Sequence, residues 1–251
     1  MESFSLSIDK QFDNGVNAFA SYTTVDSSAL WDGTEARAQS LYRGTARAAA
    51  LQPSMGKSAW NTDHRFIAGL DYVMNEGSRK ATTFSLFWNA QSGRPYSYTW
   101  YRYDLFDYDD NVLAYIPGPG DPNVVYSGVS ENLVLDHIER LGLSGLAGQI
   151  APRNIGNADY YRSLDMRIAQ EIPGFMDDDK FTIYFDAVNL LNFFNDSDGV
   201  RYFKGSTQEV LETDGLDAQG RWIITGVRDE ESYIDFNSSS YRFQLGFSYE
   251  F

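Results

Sequence analysis

The chain has 251 residues, no cysteine and a formal net charge of −15. The missing thiols exclude disulfide stapling and cysteine chemistry, and the acidic balance argues against nucleic acid as a partner. Aromatic residues make up 16% of the sequence, with 17 Tyr and 17 Phe, ordinary for a membrane barrel with interfacial girdles; no run approaches the roughly 18 apolar residues of a membrane helix, so any membrane crossing must use strands.

Phe4, Leu6 and Ile8 alternate with Ser3, Ser5, Ser7 and Asp9, and the run ends at Phe12-Asp13-Asn14-Gly15. Asn-Gly between alternating segments is a strong hairpin signal and predicts a return strand over 16–26, with Val16, Ala18, Ala20 and Tyr22 on one face. Residues 27–63 read as a polar connection carrying Trp31 and Trp60, longer than a compact domain normally tolerates. A third strand is expected over 64–75, where Phe66, Ala68, Leu70, Tyr72 and Met74 are in phase, followed by the tight turn Glu76-Gly77-Ser78-Arg79. The fourth is expected from Ala81 to about Tyr98, with Phe84, Leu86 and Trp88 on one face, continuing through Ser92-Gly93-Arg94-Pro95 into Tyr96, Tyr98 and Trp100. Pro95 has no N–H to give a ladder, which puts it beyond a membrane or at a bulge.

A second long connection spans 101–159. Within it, Ser130 ahead of Leu133, Leu135, Ile138 and Leu141 reads as a short capped helix. Strand five, 160–172, sets Leu164, Met166 and Ile168 against Asp165, Arg167 and Glu171; strand six, 181–192, sets Phe181, Ile183, Phe185, Ala187 and Leu191 against Thr182, Tyr184 and Asp186. Pro173-Gly174 and Asp177-Asp178-Asp179 form the turn between them. The third long connection, 193–240, is expected to hold a hairpin pairing Val200–Phe203 with the region 222–225. The seventh strand closes the sequence: Tyr241, Phe243, Leu245, Phe247, Tyr249 and Phe251 alternate with Arg242, Gln244, Gly246, Ser248 and Glu250. That length matches the about 9 to 11 residues of a tilted membrane strand rather than the about 5 or 6 of a soluble one.

Short connections at 12–15, 76–80 and 173–179 therefore alternate with long ones at 27–63, 101–159 and 193–240. This asymmetry, with the strand lengths, predicts an all-β fold: an antiparallel transmembrane β-barrel segment with short periplasmic turns and long extracellular loops. A polar face carrying Asp165, Arg167, Glu171, Thr182 and Asp186 suits a hydrated lumen better than a dry core. Seven is odd, and an open sheet in lipid would leave two edges with unsatisfied backbone groups, so a partial barrel, the C-terminal part of a longer wall, is expected. Met1 to Ser7 has neither the basic nor the apolar region of a signal peptide, so either the mature chain starts here or an N-terminal part lies elsewhere.

Three stretches carry a resemblance: Gln91-Ser92-Gly93-Arg94-Pro95-Tyr96-Ser97-Tyr98; Gly148-Gln149-Ile150-Ala151-Pro152-Arg153-Asn154 followed by Leu164-Asp165-Met166-Arg167-Ile168; and Phe185-Asp186-Ala187-Val188-Asn189-Leu190-Leu191-Asn192 with the final Tyr249-Glu250-Phe251. In this order, over about 64–251, the sequence resembles the C-terminal barrel of TonB-dependent outer-membrane receptors, the Oar-like group in particular. The resemblance implies a barrel of about 22 strands, a plug inside it and a TonB-contacting box, of which the plug and box have no counterpart here. It implies a place in the outer membrane of a Gram-negative cell, uptake of a nutrient, and partners comprising outer-membrane lipid, the remaining strands and plug, TonB only through the N-terminal part, and the barrel assembly machinery, for which the Tyr241–Phe251 strand would be the signal. The rival readings are a soluble or surface-attached β-sandwich that binds carbohydrate through aromatic loops, and a passive barrel or adhesin.

No catalytic constellation emerges. The two histidines, His64 and His137, read as surface or interface residues, Ser144 does not fit a nucleophile elbow, and Gly118-Pro119-Gly120 lacks the lysine of a phosphate loop. The chain is read as a non-enzyme needing no cofactor. Asp104, Asp107, Asp109, Asp110 and Asn111 are spaced as oxygen ligands for calcium, against a solvated acidic loop as the alternative. Trp31, Arg94, Trp100, Tyr101, Tyr103 and Arg153 are the candidate ligand-binding residues: the rings can stack, and the arginines can take an anion.

Overall fold

The computed structural model describes residues 1–31, 33, 36–48, 55–101, 111–176 and 179–251. Seven long strands, β1 (Glu2–Gln11), β2 (Val16–Asp26), β3 (Arg65–Met74), β4 (Thr82–Gln91), β5 (Tyr161–Pro173), β6 (Lys180–Val188) and β7 (Arg242–Glu250), form one antiparallel sheet in sequence order. Every connection at one end is short and every connection at the other is long. The first turn depends on Gly15, which takes φ +80° and accepts a hydrogen bond from Val73 N at 2.9 Å. A Cβ there would lie 2.6 Å from Val73 O, so the hairpin and its neighbour require glycine.

The register decides what each face is made of. Leu6 pairs with Tyr22, Tyr22 with Phe66, Ala68 with Trp88, Leu86 with Met166, Ile168 with Phe185, and Ile183 with Phe247. All seven apolar sets therefore fall on one side of the sheet. A shift of one residue in any ladder would turn a whole strand over. Among the described residues no second sheet or long helix covers this face: Leu245 and Phe247 are 76% and 78% exposed, and Phe4, Leu6, Ile8, Leu86, Ile183 and Phe243 are exposed too.

Aromatic rings gather at both ends of this face. At the turn end, Phe181 stacks on Tyr249 at 4.5 Å, Phe175 meets Phe181 edge-on at 5.6 Å, and Tyr72 stacks on Phe84 at 6.4 Å. At the loop end, Phe193 packs against Tyr241 and Phe243, both at 5.3 Å, and Phe66 against Trp88 at 5.0 Å.

The opposite face is largely polar, with Phe19 and Phe87 6.4 Å apart upon it, and many of its charged groups are paired. Arg167 holds Asp186 with two N–H donors and lies 4.9 Å over the Tyr184 ring; Lys180 reaches Glu171 and Glu250, both at 3.2 Å; Ser7 Oγ and Ser21 Oγ lie 2.9 Å apart. Tyr184 lies flat over Gly246, where a Cβ would come 2.3 Å from the ring.

The dry core lies outside this sheet. The long connections fold into a cap whose five-stranded mixed sheet runs, in spatial order, Gly156–Asn157, Pro95–Trp100, Thr207–Leu216, Trp222–Val227 and Val124–Tyr126. Helix α1 (Glu131–Arg140) packs on it through Val134 and Ile138, one turn apart, and starts where Ser130 Oγ accepts Leu133 N at 3.3 Å, as the sequence predicts. Tyr98, Trp100, Ile116, Val134, Val210, Leu211 and Ile224 make up much of this core.

The structure corrects three expectations. The fourth strand stops at Gln91 instead of running to Tyr98: Pro95 cannot extend the ladder, and Pro95–Trp100 is buried on both sides within the cap. Val200–Phe203 does not pair with 222–225. Tyr202–Phe203 pairs with Tyr233–Ile234, while Trp222–Val227 returns on Thr207–Leu216 through a turn in which Asp217 Oδ1 accepts Gln219 N and Arg221 N at 2.9 and 2.8 Å. The local turn closes a shorter loop and prevails.

Strand six ends at Val188, not Asn192, because Asn189 adopts left-handed backbone with φ +56° and starts the short helix Leu190–Phe194. Asn189 is 1% exposed; its backbone N–H donates to Asp165 at 2.8 Å, and its side-chain nitrogen donates to Gly199 O and Ser239 O at 2.9 and 2.8 Å. One side chain thus fastens both ends of the third long connection. Asn189→Ala leaves two buried carbonyls unpaired and should cost about 2 kcal/mol. Asn192→Ala, which removes only peripheral bonds to Asp196 O and Asp198 O, should cost under about 1 kcal/mol. Urea midpoints of the two variants check the difference.

Candidate functional site

The sequence-predicted binding residues separate into different roles. Trp100 is 1% exposed and stacks on Trp222 at 4.8 Å, a core residue with no face for a ligand. Arg153 is buried: its guanidinium donates to Leu30 O at 2.7 Å, to Ala29 O and to Gly56 O, while Asn154 Nδ2 donates to Lys57 O at 2.7 Å and Asn154 N to Ser97 Oγ at 2.9 Å. Arg153-Asn154 therefore staples the first long connection to the second. Tyr101 is half-buried beneath Arg228, whose guanidinium lies 4.0 Å over the ring. Trp31 is half-buried in the first long connection. The Tyr241–Phe251 aromatics lie on the apolar face and its turn-end rim, not in the cap.

The calcium expectation falls mostly outside the described residues, as do Asp104, Asp107, Asp109, Asp110 and Tyr103. Asn111 is buried and donates its side-chain amide to Tyr42 O and Arg43 O at 3.2 and 2.8 Å. Among the described residues no cluster of three or more His, Asp or Glu side chains has a metal-holding arrangement.

A second staple is a small polar network inside the cap. Lys204 Nζ meets Glu230 Oε2 at 2.6 Å, Tyr96 donates to Glu230 Oε1, and the Tyr96 and Tyr98 hydroxyls lie 3.2 Å apart. Burial and the adjacent carboxylate push Tyr96 upward, and burial raises Tyr98 to about 12. Burial alone would raise Glu230 as well, but Lys204 and the two hydroxyls outweigh it and hold the carboxyl below its ordinary value. The network ties Pro95–Trp100 to the third long connection.

Arg94 remains open to a ligand. It is exposed, lies 5.1 Å over the Trp60 ring, and lines a cleft of about 190 Å³ where the cap meets the sheet. Gln91 and Tyr161, paired at the loop ends of β4 and β5, form part of its floor, and both belong to the polar-face phase. Arg201, Tyr202, Phe203 and Lys204 form another wall. Arg201 lies 5.9 Å over the Tyr161 ring, and Tyr161 donates to Ser238 O at 3.2 Å. Sequence reasoning passed over this wall, although Arg-Tyr-Phe-Lys in a chain of net charge −15 was a visible signal. It lay inside a segment assigned to the wrong hairpin. The cleft can hold a small ligand by ring stacking and by charge; it contains no nucleophile–base pair.

The Glu230 network sets an acid limit on the cap. Because the folded carboxyl titrates below its unfolded value, its contribution is full above the ordinary glutamate range of about 4.3 and is lost as pH falls through the lower folded value. Glu230→Gln should lower stability by about 2 kcal/mol at pH 7 and flatten the acid dependence between about pH 5 and 3. Melting temperature against pH for both proteins reads this out. Comparison of the chain with protein-family models, with curated proteins and with solved structures finds no match.

Proposed function

We propose that this chain is a stretch of outer-membrane β-barrel wall from a receptor of the TonB-dependent kind, with its cap on the outside of the cell. The apolar face would meet lipid, the polar face a hydrated lumen, and the cap would capture a nutrient for passage inward. The observation that carries the reading is the uncovered apolar face bounded by aromatic rings at both ends. Seven strands at about 4.8 Å spacing with about 20 Å of apolar length cover roughly 600 Å² in projection, at the upper limit of the about 300–600 Å² of the largest patch on a soluble monomer. Tyr241 to Phe251 spans roughly 34 Å along the strand, and at a tilt of about 40° this projects to about 26 Å, close to the apolar band of outer-membrane barrels.

Topology adds a requirement. β1 and β7 run in the same direction, and among the described residues neither has a strand on its outer side. Antiparallel closure therefore needs an odd number of further strands between them, and no membrane sheet can leave these edges open. The plug and the contact with TonB belong on this reading to other segments, and no energy-coupling step is assigned to this chain. A carbohydrate-binding sandwich fits less well, because a sandwich buries its apolar face under a second sheet.

A lipid-embedded wall and an uncovered sheet in water differ in sign for one substitution. Leu245→Arg, on the apolar face, should cost about 2–4 kcal/mol in a lipid-embedded wall, whereas Gln244→Arg on the polar face should be nearly neutral. In a water-exposed sheet Leu245→Arg would be harmless or would improve solubility. Abundance of each variant in the outer-membrane fraction, with urea stability in lipid, decides between them.

A further inference from the structure

The cleft between cap and sheet has a chemistry of its own. Arg94 and Arg201 both line it, and among the described residues neither is in an ion pair, although the chain carries 35 acidic residues against 20 basic ones. Arg201 faces the Asp235 carboxyl only at longer range, without a contact ion pair. Asp159 also lines the cleft yet pairs with neither, and the third cation, Lys204, is already neutralised by Glu230. Each arginine instead lies near an aromatic ring, Arg94 on Trp60 and Arg201 on Tyr161. This keeps their N–H forks available for a planar anion.

The remaining lining mixes polar side chains, Asn61, Thr62, Gln91 and Ser92 among them, with three exposed flat rings. Trp60, Tyr202 and Phe203 are 58%, 37% and 51% exposed. Solvent-exposed rings beside a pair of guanidinium groups suit a ligand with a flat or ring-shaped body and one carboxylate. Size narrows the class further: about 190 Å³ falls below the about 300–1,000 Å³ of sites for drug-sized ligands, which leaves room for a single ring rather than a chain of them.

We infer that this cleft binds a small ring compound bearing a carboxylate, the acid held by Arg94 and Arg201 and the ring laid on Trp60, Tyr202 and Phe203. Two sources share that chemistry, a sugar acid and an aryl acid. The binding assignment stands on the cleft itself; that the bound acid is the imported nutrient rests on the receptor reading above.

The test is calorimetric titration of the full chain in detergent micelles with galacturonate, with benzoate, and with galactose as the neutral counterpart. At least one acid should bind while galactose does not, and the acid that binds identifies the source. Arg94→Ala and Arg201→Ala should each weaken binding about tenfold or more, with an unchanged urea midpoint showing that the fold survives. Trp60→Ala should weaken it as well. No binding of either acid, equal binding of galactose, or full affinity in both arginine variants would overturn the assignment. Cell fractionation is scored separately: a chain that resides in the outer membrane but binds no acid refutes only this site, and one that binds the acid as a soluble protein without detergent keeps the site and refutes the wall.

Discussion

Phase along the strands is the constraint on which the rest depends. Each strand alternates with a period of two, so six ladders had to select one of two phases, and all six put apolar opposite apolar. The consequence is a sheet with two chemically opposed faces. Any slip would set Leu or Phe among Arg167, Asp186, Glu171 and Lys180, which hold one another by charged hydrogen bonds. Breaking such pairs inside an apolar layer costs several kcal/mol, so register and face chemistry enforce each other.

The second feature is where dry packing occurs. The long sheet contributes nothing to the main core; Trp100, Ile116, Leu211 and Ile224 in the cap are fully buried, each stabilising by about 1.5–3 kcal/mol relative to exposure. The cap is therefore a self-packed unit with three fastenings: the Arg153-Asn154 staple and the Tyr96–Glu230–Lys204 network each join one long connection to another, and Asn189 ties the cap to β5 through Asp165. Two of these lie in the stretches from which the sequence raises the expectation of a receptor barrel, and the third begins in one. In this fold those motifs fasten long connections, and the cleft lies between the fastenings. On the proposed reading, a rigid cap over a polar wall gives a captured ligand a fixed position at the entrance to a lumen.

Most of the sheet was legible in the sequence, because alternation and turn residues are local signals. Asn14-Gly15 and the Val16–Asp26 return strand show this well, as does the Ser130 cap of α1. Legibility ended where pairing became non-local. Pro95–Trp100 looks like more of strand four until it is seen buried on both sides beside Thr207–Leu216, more than a hundred residues away. The cleft was half-visible: Arg94 stood out, but its counterpart Arg201 arrives from a segment whose pairing depends on the Asp217 turn and on Tyr233–Ile234. Arg153 misled for a related reason. A guanidinium that holds backbone carbonyls from another connection cannot be told, in sequence, from one that holds a ligand.

The central claim is that one face of β7 touches hydrocarbon while the other touches water. The absence of native cysteine allows single spin labels at 243, 244, 245, 247 and 248, passing over Gly246 under the Tyr184 ring, in the chain reconstituted in lipid vesicles, with collision rates measured for oxygen and for a water-soluble nickel chelate. The account requires high oxygen and low nickel accessibility at 243, 245 and 247 and the reverse at 244 and 248. Uniform access of nickel to both sets, or odd positions shielded from both reagents, would contradict it.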